Sequence, residues 1–441
     1  MHRTTPPTDD VLGAVPALSP RGRADAVTLL SILVGIRLAL PSQLVIGPLG
    51  GAGGPATLFG LLLLAYWFWH RLHRVVHERA AAVNAAGIVF GLIVLGSYAA
   101  ASLRPTAADE LNLATLSLLS LAGWMGGLLL ASDGVANPER LRVLVSRLAI
   151  IGGAFAGFGL VQFVTGTAWV DRLSIPGLVV NTPVYAISQR GGFSRPFSTA
   201  IHPIEFGSVI AMLLPLAIVF GLLGLGRGGV RWRNWIPAAL IVLAASLSSS
   251  RSTLVGLAIG LVLLWPALTG LQRLLGGVAT LVLGGAVFVV VPGMGGTIAG
   301  LFSGLASVDS SVASRVDSYG LAGAFFNRAP IIGRGFGTFL PRYRIFDNQY
   351  LLALVETGAL GFVAMLLLWV VPVVAIARVI RSSDRGSPQR LLGTGLLSSC
   401  VVGGVGLAFF DGFGFPMMPT IWFLLLGLGG AYSRLAGATS W

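Results

Sequence analysis

Two short stretches of this sequence hold the side chains best suited to moving a proton. In His202-Pro203-Ile204-Glu205-Phe206, the histidine and glutamate stand three residues apart at the start of an apolar run, which places both on one face of a helix. In Asp347-Asn348-Gln349-Tyr350-Leu351, a carboxylate and an amide stand just before another apolar run, where Asp or Asn serves equally well as a helix N-cap. Glu356, seven positions beyond Gln349, falls on the same helical face and is expected to point into the protein. A single histidine at such a place is more often structural than catalytic; what raises its interest is the company of arginines.

The basic side chains are arginines throughout; the chain has no lysine. Arginine is the residue suited to bidentate recognition of phosphate. Arg190 and Arg195 lie in RGGFSRP just ahead of His202, and Arg251 lies in a serine turn, Ser248-Ser249-Ser250-Arg251-Ser252. Arg315 lies in VASRVDSYGLAGAFFN at 312–327, and Arg334 lies between glycines in Gly333-Arg334-Gly335-Phe336-Gly337. That last motif has no strand or βαβ unit around it, so it reads as a glycine turn that lets backbone approach closely, not as a dinucleotide fingerprint. No His, Cys, Asp or Glu grouping has metal-ligand spacing. Cys400, the one cysteine, sits in an apolar run as a small core residue.

The elements that must position these residues follow from composition. Of 441 residues, 55% are hydrophobic and 10% charged, with a net charge of +13. A soluble globular domain is about 25% charged, so the expectation is an all-α polytopic membrane protein. Twelve apolar runs, the first at 26–45 and the last at 417–434, predict about twelve transmembrane helices with a large extracytoplasmic loop, 294–349, between the ninth and tenth. Within that loop, 312–327 has helical spacing, with Val312, Val316, Tyr319, Gly323 and Phe326 on one face, and predicts a short amphipathic helix. Residues 1–24 are polar, lack the features of a signal peptide and read as a disordered cytoplasmic tail ahead of a single membrane domain, 25–441.

Arginine-rich loops at 71–79, 140–147, 227–233 and 378–390 place both termini in the cytoplasm of a bacterial plasma membrane. The loops 167–202 and 294–349 and the serine turn break that rule with nine arginines on the outer face. Either these are solvated loop charges, or they converge on an anion at the outer leaflet, for which a diphosphate has the right size and location. Leaving a lone charge such as Arg251 among spanning helices costs on the order of 2–3 kcal/mol, so it needs a partner.

With SSSRSTLVGLAIGL at 248–261, Ser314-Arg315 followed by Pro330-Ile331 and the glycine stretch 333–339, and DNQYLLALVETGALG at 347–361, the chain resembles the O-antigen ligase and O-antigen polymerase superfamily of bacterial membrane glycosyltransferases. The resemblance covers nearly the whole chain. It departs from the ligases at Asp347, where they carry a histidine, and an aspartate there looks more like the polymerase branch.

The resemblance implies transfer of a glycan from an undecaprenyl-diphosphate-linked oligosaccharide to an acceptor hydroxyl, at the extracytoplasmic side and without metal or other cofactor. Asp347 is then the first candidate base, with Glu205 or His202 as substitutes. Arg190, Arg195, Arg251 and Arg315 are candidates to hold the diphosphate, and Arg334, Asn348 and Tyr350 to contact diphosphate or glycan. The partners implied are the lipid-linked oligosaccharide, a glycan or lipid acceptor, membrane lipids and a chain-length regulator, with no nucleic acid. Polymerisation of lipid-linked repeats leads a ligase that uses a different acceptor. A transporter or flippase of an anionic lipid-linked substrate comes third; Arg37, deep in the first apolar run, fits it best.

Overall fold

A computed structural model describes residues 25–73, 82–181, 189–190, 193–225, 232–248, 250–278, 285 and 310–437, of which 189–190, 193–194, 251 and 310–317 are described by backbone alone. Among the described residues the chain forms twelve α-helices: α1 (Ala26–Ala39), α2 (Pro55–Leu72), α3 (Ala82–Ser102), α4 (Ala108–Gly134), α5 (Pro138–Thr165), α6 (Pro203–Leu223), α7 (Ile236–Leu247), α8 (Arg251–Leu264), α9 (Ser310–Arg328), α10 (Gln349–Ser382), α11 (Pro388–Gly406) and α12 (Met417–Arg434). Five of them, α3, α4, α5, α6 and α10, are each long and apolar enough to cross a bilayer. A sixth span results if the 3-10 segment Gly47–Gly53 and α2, bent by 70°, count as one.

The first apolar run, 26–45, is not one helix. Pro41 disfavours helical backbone at Leu40, which is extended, and the chain goes on as a three-residue strand, Leu44–Ile46, paired antiparallel with Leu178–Val180. A second two-stranded ladder joins Gln189–Arg190 to Phe193–Ser194. Most of the run 275–292 lies outside the described residues.

The burial pattern is that of a bundle in lipid. Every residue of α12 from Met417 to Tyr432 is buried, and α6 is buried along most of its length, so these two helices form the centre. Large apolar side chains such as Leu62, Leu92 and Val262 lie outside, each more than 60% exposed. A soluble protein would cover such a surface with polar groups; a membrane-embedded one leaves it to lipid.

Hydrogen bonds sort the helix termini into two ends. At one end the close of α1 meets the start of α2 through Arg37 and Thr57, and the close of α5 meets the segment before α6 through Gln162 and Ser198. At the other end the start of α1 meets the start of α5, and the close of α4 meets the close of α12.

α10 is broken at Gly358 (φ 62°, ψ −164°). The segment before α10 fills the break. The N–H groups of Arg334 and Gly335 donate to the carbonyls of Val355 and Glu356, and those of Ala359 and Leu360 donate to the carbonyls of Pro330 and Ile331. Gly333, Gly335 and Gly337 all have positive φ, and a Cβ on Gly333 would collide with the backbone at Glu356 and Thr357. The glycine turn expected from the sequence is therefore a clasp on α10, α3 and α4. The helix expected at 312–327 is α9, although its buried stripe runs through Ser318, Ala322 and Phe325 while Tyr319 stands exposed.

Candidate functional site

The starts of α6, α8, α10 and α12 are tied together at one end of the bundle. Glu205, in the first turn of α6 and fully buried, accepts from the Ile201 N–H at 3.1 Å with one oxygen and from the Met417 N–H with the other. It thereby caps the start of α12, satisfying one of the N–H groups that a helix leaves open there. Arg37 lies within electrostatic reach of Glu205, almost fully buried, with its Nη2 donating to Thr57 at 3.0 Å.

His202 is the N-cap of α6, its Nδ1 accepting from the Ile204 N–H at 3.1 Å. That bond assigns the proton of the neutral ring to Nε2, which makes His202 a donor toward its surroundings. Burial, and then the neighbouring Arg195, hold its pKa below the ordinary value of 6.5.

Arg195 reaches across to the serine turn, its Nε donating to the Ser248 carbonyl at 3.2 Å. Ser250 is the N-cap position of α8 and Arg251 its first residue. Gly207 lets α6 approach α8 so closely that a Cβ there would strike Thr253. The side chains of Arg190, Arg251 and Arg315 lie outside the described residues; their backbones stand in the second strand ladder, at the start of α8 and in α9.

Asp347 is exposed and holds a left-handed backbone, φ 51°, which costs a non-glycine residue about 1–3 kcal/mol. Asn348, not Asp347, is the N-cap of α10, its Oδ1 accepting from the N–H groups of Tyr350 (2.9 Å) and Leu351 (3.3 Å). The strained turn is held by Asp411, in the connection between α11 and α12. One Asp411 oxygen accepts from the Asn348 N–H at 2.9 Å and the other from the Phe346 N–H at 3.2 Å. Burial, followed by the charge of Asp347, raises the Asp411 pKa. Two further bonds fasten the same connection: Gln349 N–H to the Leu407 carbonyl and Phe413 N–H to Gln349 Oε1, each 2.8 Å.

The segment 407–417 is thus a strap. Asp411 fixes the Asp347 turn, Phe415 packs 6.0 Å from the His202 ring, and Met417 donates to Glu205. The candidate bases Asp347, Glu205 and His202 all lie along it.

No protein-family model and no curated protein matches this chain.

Arg334 lies at a different corner. It pairs with Glu110 in the first turn of α4, and the Tyr343 hydroxyl donates to the same carboxylate oxygen. Its guanidinium also sits 5.6 Å from the Phe325 ring centroid and 5.3 Å from that of Tyr343. Glu356, expected to point inward, does so and accepts from the Phe339 N–H at 3.2 Å. Tyr350 donates its hydroxyl to the Gly404 carbonyl at 2.7 Å. Asn348, Tyr350, Glu205 and Glu356 therefore all have partners inside the chain, and Asp347 is the carboxylate left facing outward.

Among the described residues, no three of His, Cys, Asp and Glu gather as a metal site. Asp411 and Glu110 are not among the residues the sequence singles out: Asp411 precedes glycine in DGFGFP, and Glu110 stands just before the apolar run 111–132, in what is the first turn of α4.

Proposed function

We propose that this protein is a membrane glycosyltransferase that lengthens a glycan carried on a polyprenyl diphosphate. The observation that carries the reading is the meeting of four helix starts, α6, α8, α10 and α12, with Arg195 and the serine–arginine turn, beside an exposed aspartate held in a strained turn. Helix N-termini and guanidinium groups favour an anion, and the strained turn is the kind of feature that persists where function requires it.

The chemistry asks little more. An acceptor hydroxyl oxygen forms a bond to the anomeric carbon while the bond from that carbon to the diphosphate oxygen breaks. The hydroxyl proton passes to the Asp347 carboxylate, and the electron pair of the broken bond leaves with the diphosphate. Guanidinium groups brought to that anion stabilise the charge gathering on it, and a base in hydrogen-bond reach supplies a further 10²–10⁴-fold. Glu205, with a backbone N–H on each oxygen, keeps α12 in place, and His202, with its ring proton on Nε2, is suited to donating to the diphosphate or a sugar hydroxyl. The twelve-span layout, with both termini in the cytoplasm of a bacterial plasma membrane and the site outside, belongs to the same proposal, as does kinship with the O-antigen ligase and polymerase superfamily.

The transporter reading draws on one specific observation, the break in α10, since broken helices mark many transport sites. Here the freed backbone groups are taken by residues 330–335 of the same chain, leaving them nothing to offer a substrate.

The test is purified protein with an undecaprenyl-diphosphate oligosaccharide as sole substrate, its products resolved by gel and mass spectrometry. A ladder of repeat lengths with release of lipid diphosphate is expected, and Asp347→Asn lowers the rate at least about 100-fold with donor binding retained. Donor bound and no ladder until a different acceptor is added indicates a ligase; neither binding nor product overturns the reading.

A further inference from the structure

At the end of the bundle opposite the candidate site, a cavity of about 200 Å³ opens between the start of α1 and the closes of α2 and α4. Its walls include Asp25, Tyr66, Trp67, His70, Arg71 and Asp133. That is the volume of about seven liquid waters, too small for a drug-sized ligand and large enough for a compact headgroup.

The walls carry both signs of charge. Asp133 accepts from Trp67 Nε1 (3.0 Å), Arg71 (3.4 Å) and Asn84 Nδ2 (2.6 Å), and Asp25 is paired with Arg140. Arg71 offers Asp133 only Nη1 among these bonds, while a guanidinium has five N–H donors. Asp25 is already engaged by Thr28 and by two nitrogens of Arg140, while three donors leave Asp133 acceptor capacity to spare. Behind Asp133, Asn84 is fully buried, and its Oδ1 has no partner among the described residues. With Arg140 counted, two carboxylates stand against two guanidinium groups, so the charges around the cavity balance as those of a zwitterion do. Tyr66 adds a ring face that attracts a cation, while that of Trp67 already lies under Arg71.

The surroundings point to lipid. Tyr66, Phe68, Trp69 and Leu72 on the closing turns of α2 are all exposed, which is the composition of a membrane interface. The loop charges expected to face the cytoplasm follow directly from this end.

We infer that this cavity binds an ammonium-bearing phosphate zwitterion, the phosphoethanolamine headgroup of a membrane phospholipid, with the ammonium toward Asp133, Asp25 and the Tyr66 ring and the phosphate toward Arg71 and His70. A choline headgroup has no N–H to give the carboxylates, and a glycerol headgroup has no positive charge to meet them. The inference is independent of the glycosyl-transfer reading, since the cavity lies at the far end of the bundle.

The experiment is native mass spectrometry of the full chain in detergent, titrated with phosphatidylethanolamine, phosphatidylcholine or phosphatidylglycerol of matched acyl chains. Phosphatidylethanolamine is expected to bind at least fivefold more tightly than either competitor. Asp133→Asn should reduce that preference, and His70→Ala, at the more exposed rim where folding is not at stake, should weaken binding of all three lipids alike through the phosphate they share. Free phosphoethanolamine in a thermal-shift assay separates the sources: stabilisation by the lipid alone fits the interfacial site, whereas equal stabilisation at equal concentration assigns the cavity to a soluble zwitterion and overturns the lipid assignment. Equal retention of all three lipids, or an affinity untouched in the His70→Ala protein, overturns the inference.

Discussion

The α3–α4–α9 corner and the α6–α8–α10–α12 corner sit at the same end of the bundle, and both are rich in charge, yet their charges are spent differently. At the first, Arg334, Glu110 and Tyr343 satisfy one another, Arg342 pairs with Asp109, and three glycines press the loop onto its neighbours. At the second, carboxylates hold backbone: buried Glu205 holds the start of α12 and half-buried Asp411 holds the turn at Asp347, whose own carboxylate faces outward. An arginine inside a glycine motif is therefore poor evidence of a ligand contact. An exposed acid on a strained turn braced by a second acid is better evidence, because the brace has no purpose unless that turn must keep its shape.

Substitutions can sharpen or break this contrast. The largest effect is expected from Glu110→Ala, which strands the Arg334 guanidinium and the Tyr343 hydroxyl. Breaking such a mostly buried pair costs about 3 kcal/mol, read as a lower melting temperature in detergent with transfer per folded molecule unchanged. Lost transfer at full stability would move the chemistry to the α3–α4–α9 corner. An intermediate effect concerns pH. His202 has a folded-state pKa below its unfolded value of 6.5, so the neutral ring is the form the fold prefers. Its contribution is present above pH 6.5 and fades as pH falls from there toward the folded-state pKa, because the unfolded chain takes up the proton first. The melting temperature should drop across that window, and His202→Asn, which keeps an N-cap acceptor, should flatten the drop. The smallest effect belongs to Arg342→Ala: its pair with Asp109 is exposed on both sides, and no change in melting is expected.

Much of the architecture could be read from the chain because long apolar runs between polar breaks carry their own boundaries. Those of 82–102 and 417–434 coincide with α3 and α12. The helix at 310–328 was legible by period while its buried face was not, since the partners Phe339 and Phe346 come from a loop that has no period to read. The break at Gly358 was hidden for a similar reason. Glycine is common in helices that pack closely in membranes, and only the three-dimensional placement of residues 330–335 turns this one into a discontinuity.

At the candidate site, the sequence expectation of one shared helical face is met only in part: Glu205 lies in the first turn of α6, while His202 is its N-cap with extended backbone. Their employment as caps depends on where Ile201 and Met417 arrive, and the second of these is 212 residues away. Asp411 was illegible on the same ground, its partners lying 63 and 65 positions earlier.

The discontinuity in α10 also bears on how the protein is made. A helix that enters lipid whole needs nothing from its neighbours, because its backbone is satisfied within itself. α10 cannot do so. Until residues 330–335 dock, the groups at 355–360 that they pair with are open, and each would cost several kcal/mol in hydrocarbon. The segment preceding α10 must therefore be in place before that helix settles, which makes the completion of this span a late, cooperative event in biogenesis rather than an independent insertion. The glycine clasp is in this sense an assembly device, and a chain carrying Gly333→Val would be expected to leave the ribosome intact and be lost to proteolysis in the membrane.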